Sequence, residues 1–482
     1  MIKVHITTLG CPKNQADSDH LARAFLDEGL VPVQESGDAD ILLVNTCGFI
    51  RDAKEESIEE ILRLSQEKKG QQGEERKLLV FGCLSQRYRE ELLKEIPEID
   101  GLWGVGEERK IVDYCRRADL QKRSSAEEKI RAEARKGRST EAGRRRGGHS
   151  DLPAPSLPGS RASYAYLKIA EGCDKRCTFC VIPSIRGRFR SIPRETILEE
   201  AREYVARGVR ELILVAQDIT SYGKEYGNYG LAALLRDLAA IEGDFYLRLL
   251  YLYPTAITDE LIDIVAGEDK IRKYLDIPLQ HSEDRLLRLM GRRGTRKEYT
   301  KLIRTLRRRV PEVALRTTFI VGFPSETEDE FNRLIDFIEE IRFDRLGVFP
   351  FSQEEGTPSA TLKGQLPGKT KQRRVDEIMQ RQALISLEKN KELVGRRYPA
   401  IVDEIDGPVI IARLYSHAPE IDGVVIIETA DAQAPGLTVG EVAPVEITGA
   451  FDYDLKATIV DEKAPSRKRI PPKGQLRIIT PQ

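Results

Sequence analysis

Apolar positions in the first 118 residues fall into short runs separated by stretches of helical spacing. Ile2–Thr8, Ile41–Asn45 and Leu78–Phe81 read as strands, with amphipathic helices over Asp17–Glu28 and Ala53–Gln66. Such alternation predicts an N-terminal parallel α/β sheet built from βαβ units. Six further apolar strands follow, over Ala165–Ala170, Glu211–Ala216, Phe245–Tyr253, Tyr274–Pro278, Leu315–Val321 and Arg345–Phe351. The helical stretches between them include Arg194–Ala206, Leu231–Ala240, Lys297–Arg309 and Glu328–Ile341. Six βα units are too few to close an eight-stranded barrel, so a partial (β/α)6 barrel is expected. A basic helix over Thr370–Leu393 then leads into short β-branched runs: Ala400–Val402, Val409–Leu414, Val424–Glu428, Pro444–Ile447 and Ala457–Val460. Their spacing, broken by Gly and Pro, predicts a small C-terminal β-barrel.

These changes of pattern divide the α/β multidomain chain at 1–118, 119–162, 163–394, 395–462 and 463–482. The second segment is rich in charge, Ser, Gly and Pro, with 12 Lys/Arg against 5 Asp/Glu between Arg116 and Arg146. A solvated linker is the plain expectation, and a weak nucleic-acid contact the sharper one. The last segment reads as a basic, disordered tail. Overall charge changes the picture little: the formal net charge is −1 over 482 residues. No long apolar run is present and the N-terminus enters a strand at once. A cytoplasmic protein with no membrane partner is therefore expected.

The seven cysteines add more. Their number is odd and their spacing is not that of a secreted disulfide framework, so metal binding or catalysis is the better expectation. Cys173, Cys177 and Cys180 form a C-x3-C-x2-C loop directly after the first strand of the six. Soft thiolates select iron–sulfur clusters or zinc, and three of them leave one iron of a [4Fe–4S] cluster open. A three-cysteine zinc site completed by a distant residue is the alternative. The spacing, with Phe179 before the last cysteine, resembles the radical S-adenosylmethionine (SAM) superfamily, whose members use a partial (β/α)6 barrel. The resemblance implies that SAM binds the open iron and is cleaved to methionine and a 5′-deoxyadenosyl radical. Ile320-Val321-Gly322-Phe323-Pro324-Ser325-Glu326 looks like the superfamily's glycine-rich segment, which implies cofactor contacts at Gly322 and Glu326. Ser325 departs from the glycine usual there. Gln217, at the end of the second strand, is a further candidate for holding SAM.

Cys11, Cys47 and Cys83 are far apart in sequence, yet each follows a strand and each has a glycine beside it (Gly10, Gly48 and Gly82). In a parallel sheet the carboxyl ends of neighbouring strands share an edge, so three thiolates converge there. Cys115 lies in a helical stretch and reads as structural. A radical SAM barrel preceded by such a sheet resembles the methylthiotransferase family, whose members end in a small β-barrel called TRAM. Membership implies a second [4Fe–4S] cluster on Cys11, Cys47 and Cys83. It also implies that one SAM methylates a cluster-held sulfur and a second yields the radical that activates a carbon.

The family divides into tRNA modifiers (MiaB-type) and a RimO-type branch acting on an aspartate β-carbon of ribosomal protein uS12. Gly10-Cys11-Pro12-Lys13-Asn14, Asp276-Ile277-Pro278-Leu279-Gln280-His281-Ser282, Tyr166–Gly172 and Phe343–Phe349 look like the latter. Ile192 departs from the arginine expected there. Charge points the same way, since Arg396–Asp461 carries 12 Asp/Glu against 4 Lys/Arg. An RNA-binding barrel should be basic, whereas an acidic one suits a basic ribosomal protein. The expected partners are uS12 or the small ribosomal subunit, a flavodoxin- or ferredoxin-type electron donor, and a sulfur donor. A tRNA methylthiotransferase is the nearest alternative, and a two-cluster electron carrier a distant one. His281, at the end of the fourth barrel strand, reads equally as a substrate-facing or a structural residue.

Overall fold

In the computed structural model, which describes residues 1–68, 76–118, 163–429 and 436–460, the first five strands form one parallel sheet. They are β1 (Lys3–Thr8), β2 (Val31–Val33), β3 (Ile41–Thr46), β4 (Lys77–Gly82) and β5 (Gly101–Leu102), ordered β2-β1-β3-β4-β5. Leu42, Leu43, Val44, Leu79 and Val80 are buried because helices cover both faces, which is why these strands read as unbroken apolar runs. In this strand order the winding reverses between β1 and β3, and ligands bind at the carboxyl ends beside such a switch point.

A short hairpin, β7 (Ala170–Glu171) with β8 (Arg190–Ser191), lies between the first two strands of a second sheet. That sheet holds β6 (Tyr164–Lys168), β9 (Glu211–Val215), β10 (Tyr246–Leu249), β11 (Ile271–Asp276), β12 (Ala314–Val321) and β13 (Arg345–Pro350). All six are parallel and adjacent in chain order, and β6 does not pair with β13. The result is the open (β/α)6 barrel expected, not a closed one. Strand β10 stops at Leu249 although apolar residues continue to Tyr253. Tyr251 takes a left-handed φ of 64°, and its N–H is held by the Asp276 carboxylate at 3.1 Å.

The lower, N-terminal end of the barrel is closed by charge. Glu211 is wholly buried and accepts from Arg248 at 2.8 Å and from Arg272 at 3.3 Å. Conserving this triad of charges matters more for stability than for chemistry, because barrel sites form at the opposite face.

Residues Met1–Ser386 form one compact unit that contains both the N-terminal sheet and the barrel. The second unit begins at Leu387, within the helix Gly368–Lys391. It is a closed five-stranded barrel of β14 (Arg397–Asp406), β15 (Val409–Arg413), β16 (Val425–Glu428), β17 (Val442–Ala450) and β18 (Leu455–Ile459). Ala400, Val402, Ile410, Ala412, Val445 and Ile447 fill it, while Glu404, Asp406, Glu420, Glu428 and Asp452 stay exposed. The charged segment 119–162 and the tail 463–482 lie outside the described residues. Among the described residues no helix is long and apolar enough to cross a membrane.

Replacing Glu211 by Ala would leave the fully buried Arg248 without this carboxylate. Urea unfolding of Glu211→Ala should show a loss of about 3–5 kcal/mol, the usual effect of breaking a buried ion pair.

Candidate metal centres

Cys11, Cys47 and Cys83 leave the carboxyl ends of β1, β3 and β4, and the register Thr46 opposite Gly82 sets Cys47 beside Cys83. Cys11 is the N-cap of the helix Pro12–Asp27, and Cys83 opens the short helix Cys83–Arg87. Gly10 has a φ of 98°, and a Cβ there would stand 2.7 Å from the Cys47 Cβ and 3.0 Å from its Sγ. Gly82, at 106°, would strike the Asn45 side chain and the Thr46 backbone. Both glycines are therefore demanded by backbone shape and by the crowding of the triad.

Asn14 sits at the centre of this edge. Its Nδ2 donates to the Leu9 and Thr46 carbonyls at 2.7 and 3.1 Å, and its Oδ1 is 3.9–4.0 Å from the Cys11 and Cys83 sulfurs. The same Oδ1 accepts from Arg186 at 2.7 Å, and the Arg186 Nε donates to the Cys83 Sγ at 3.3 Å. Burial pushes the Cys47 thiol up to about 12 and raises Cys83 as well. Burial opposes ionisation of Cys11 too, but the nearby Lys13 and Arg186 cations outweigh it and lower this thiol below its ordinary value.

The second triad lies in the loop after β7. Gly172, with a φ of 76°, lets the chain pass the Arg188 carbonyl, which a Cβ would meet at 2.2 Å. The Lys175 N–H donates to the Cys173 Sγ at 3.4 Å. Thr178 pins the loop to the barrel, donating from its N–H to the Met290 carbonyl at 2.9 Å and from its hydroxyl to the Leu289 carbonyl at 2.8 Å. Burial raises Cys173 and pushes Cys180 up to about 12. From Cys180 the chain enters the helix Ile182–Arg186, whose Ile185 packs with Val181, Phe49 and Cys83. The two triads thus share a wall. Lys13 acts electrostatically on both Cys11 and Cys180, and Arg186 belongs to the helix leaving one triad while bonding a sulfur of the other.

Gln217 follows β9 at the same end of the barrel. Its Nε2 donates to Glu171 at 3.0 Å, while its buried Oε1 has no partner among the described residues. An orphaned acceptor next to a cysteine loop fits a ligand that carries an ammonium donor. Gly322 and Glu326 are occupied differently. The Glu326 carboxylate is buried and receives the Gly322 and Phe323 N–H groups, Arg374 at 3.1 Å and the His281 Nε2 at 3.5 Å. The close approach at Gly322, with its φ of 72°, is made by Lys371, whose Cγ a Cβ would meet at 2.4 Å. His281 is wholly buried and its Nδ1 accepts the Glu283 N–H at 3.0 Å, so its bonding here is internal. Cys115 is buried among Ile2, Phe25 and Ile111, away from both triads.

Sequence reasoning assigned no role to Lys13, Asn14, Asp17, Glu171, Arg186 or Tyr251. The available signal was that Lys13, Asn14 and Glu171 lie beside cysteines. Among the described residues no three His, Cys, Asp or Glu side chains are grouped as one ion would need.

Three family models match the chain: the uncharacterized protein family UPF0004 over residues 3–104, the radical SAM superfamily over 167–338 and the TRAM domain over 394–460. The ribosomal protein uS12 methylthiotransferase RimO of Thermodesulfovibrio yellowstonii is 53% identical over 94% of this chain and 99% of its own. The protein of the same name from Desulfitobacterium hafniense is 43% identical over 95% and 98%. Among solved structures, the radical S-adenosylmethionine methyltransferase TsrM from Kitasatospora setae has a TM-score of 0.51 and 17% identity, covering 84% of this chain and 81% of that one. At that identity the likeness is one of fold.

In metal-free protein, iodoacetamide at neutral pH should label Cys11 before Cys47 and Cys83, as read by peptide mass spectrometry. Equal labelling of the three would show that Lys13 and Arg186 do not set the thiol acidity.

Proposed function

The chain belongs to the ribosomal protein uS12 methylthiotransferase family, and we propose that it methylthiolates the β-carbon of an aspartate in uS12, with both cysteine triads carrying clusters. A [4Fe–4S] cluster and SAM follow from the radical SAM family. We assign that cluster to Cys173, Cys177 and Cys180, and a second one to Cys11, Cys47 and Cys83. When bound, these groups supply the methyl group, the sulfur and the one-electron chemistry that activates an unreactive carbon.

The observation that carries this reading is the shared wall: Lys13 lies near Cys11 and Cys180, and Arg186, on the helix that follows one triad, bonds a sulfur of the other. Groups bound at the two triads would sit on either side of that wall, as transfer of sulfur to an activated carbon would require. The chain's own residues have definite tasks. Gln217 Oε1, which lacks a partner, would accept from the ammonium of SAM, and Glu171, held by Arg186 at 3.1 Å, fixes the Gln217 amide. Glu326 caps the Gly322–Phe323 turn and thereby shapes the end of β12 rather than spending its charge on a ligand. Arg186 offsets negative charge gathered on the buried thiolates beside it. Tyr251 and Tyr253, just after β10, present their ring faces to Lys13 and Lys175 at the same end.

The exposed acids of the C-terminal barrel favour a basic protein partner over a phosphate backbone. The reaction further requires a cytoplasmic electron donor of flavodoxin or ferredoxin type and a sulfur donor.

Anaerobically reconstituted enzyme given SAM, dithionite and sulfide should add a methylthio group to uS12 and leave bulk tRNA unchanged, both read by mass spectrometry. Modification of tRNA alone would overturn the substrate assignment.

A further inference from the structure

Lys13 is a buried lysine whose ammonium has neither a hydrogen bond nor a carboxylate partner among the described residues. Only 9% of the residue is exposed, and its Nζ rests 4.0 Å from the centroid of the Tyr251 ring. The stem of this side chain is buried while its Nζ stays accessible, so the ammonium is open to an incoming group. The Tyr251 ring face gives it only a weak attraction. The position is also strained into place. Tyr251 holds a φ of 64°, a conformation that a non-glycine residue adopts only at a cost. It is kept there by the Asp276 carboxylate, itself held by Arg316 at 2.9 Å. Such strain persists where the surroundings fix it for a purpose.

The other cations at this wall are already engaged. Arg186 spans Asp17, Glu171, Asn14 and the Cys83 sulfur, and Lys168 pairs with Asp17 and Glu171. Lys175 pairs with Asp218 at 3.2 Å. Lys13 alone among these four offers its donors to an incoming group. It reaches towards no sulfur closely enough for a hydrogen bond, yet lies near enough to Cys11 and Cys180 to influence both electrostatically.

We infer that Lys13 is the anchor for the carboxylate of the substrate's acidic side chain, holding it between the two cysteine triads over the Tyr251 ring. The assignment rests on the uS12 reading above and adds to it the group that selects an acid. Lys13 acts here by binding and positioning, and takes no part in bond making.

The test measures binding of purified uS12, and of uS12 whose modified aspartate is replaced by asparagine, to the reconstituted two-cluster enzyme by fluorescence anisotropy. Wild type should bind the aspartate form about tenfold more tightly, as expected for one charged hydrogen bond. Lys13→Met should bind both forms alike, at the level of the asparagine form, and Lys13→Arg should retain the preference. Iron content should match wild type in both variants. A Lys13→Met enzyme that still prefers the aspartate form, or a wild type without preference, overturns the anchor. So does a Lys13→Met enzyme that loses iron, since Lys13 then serves the cluster. If wild type leaves uS12 unmodified while modifying tRNA, the substrate reading fails first and the anchor with it.

Discussion

A single buried guanidinium joins the parts that must cooperate. Arg186 meets Asp17 and Glu171 at 3.1 Å, Asn14 at 2.7 Å and the Cys83 sulfur at 3.3 Å. Those partners come from the helix after β1, the hairpin before Cys173 and the thiol after β4. A guanidinium suits the task because it offers five donors in a fixed plane and stays charged when buried. Lys168 adds the second cation to Asp17 and Glu171, so two carboxylates face two cations with no excess of either sign. The same pairing fixes Glu171, which orients Gln217. One salt-bridge network therefore sets the geometry of the N-terminal triad, of the cysteine loop and of the acceptor beside it.

That network also explains why residues 1–386 are one compact unit although the sequence pattern changes twice within them. The helix Pro12–Asp27 is not only the cover of its own sheet. His20 meets Glu200 at 2.6 Å and Arg23 meets Glu203 at 3.1 Å, both on the barrel helix Arg194–Ala206. On the proposed reading, chemistry passing between the two triads gains from such attachment, because reacting groups misplaced by about 1 Å can lose about a hundredfold in rate. The barrel is polarised to match: Glu211, Arg248 and Arg272 close its lower end, and every candidate ligand residue lies at the upper one.

Much of this was legible in sequence, and the reasons differ by residue. The strands were readable because parallel strands covered on both faces are plain apolar runs, as in Leu212–Val215. The triads were readable because chemistry and position coincided: each of Cys11, Cys47 and Cys83 follows a strand and has a glycine beside it. Short edge strands such as Val31–Val33 and Gly101–Leu102 carry too few residues to show a period. The end of β10 was misplaced because Asp276, 25 residues on, captures the Tyr251 N–H. Arg186 and Lys13 escaped notice for a related reason. A charged residue near a cysteine has no visible role until partners far away in the chain are known, and Arg186 bonds to residues 103, 169 and 172 positions distant. Gly322 was noticed, but the side chain that crowds it, Lys371, belongs to a helix the local motif does not reveal.

The central claim is that two triads with one shared wall each hold a cluster. Iron analysis with Mössbauer spectroscopy tests it most directly, comparing anaerobically reconstituted wild type with the triple variant Cys11→Ala, Cys47→Ala, Cys83→Ala. The account predicts about eight irons per wild-type chain and about four in the variant, all in [4Fe–4S] form. About four irons in both proteins would contradict it, and would leave the N-terminal cysteines as buried thiols without a metal.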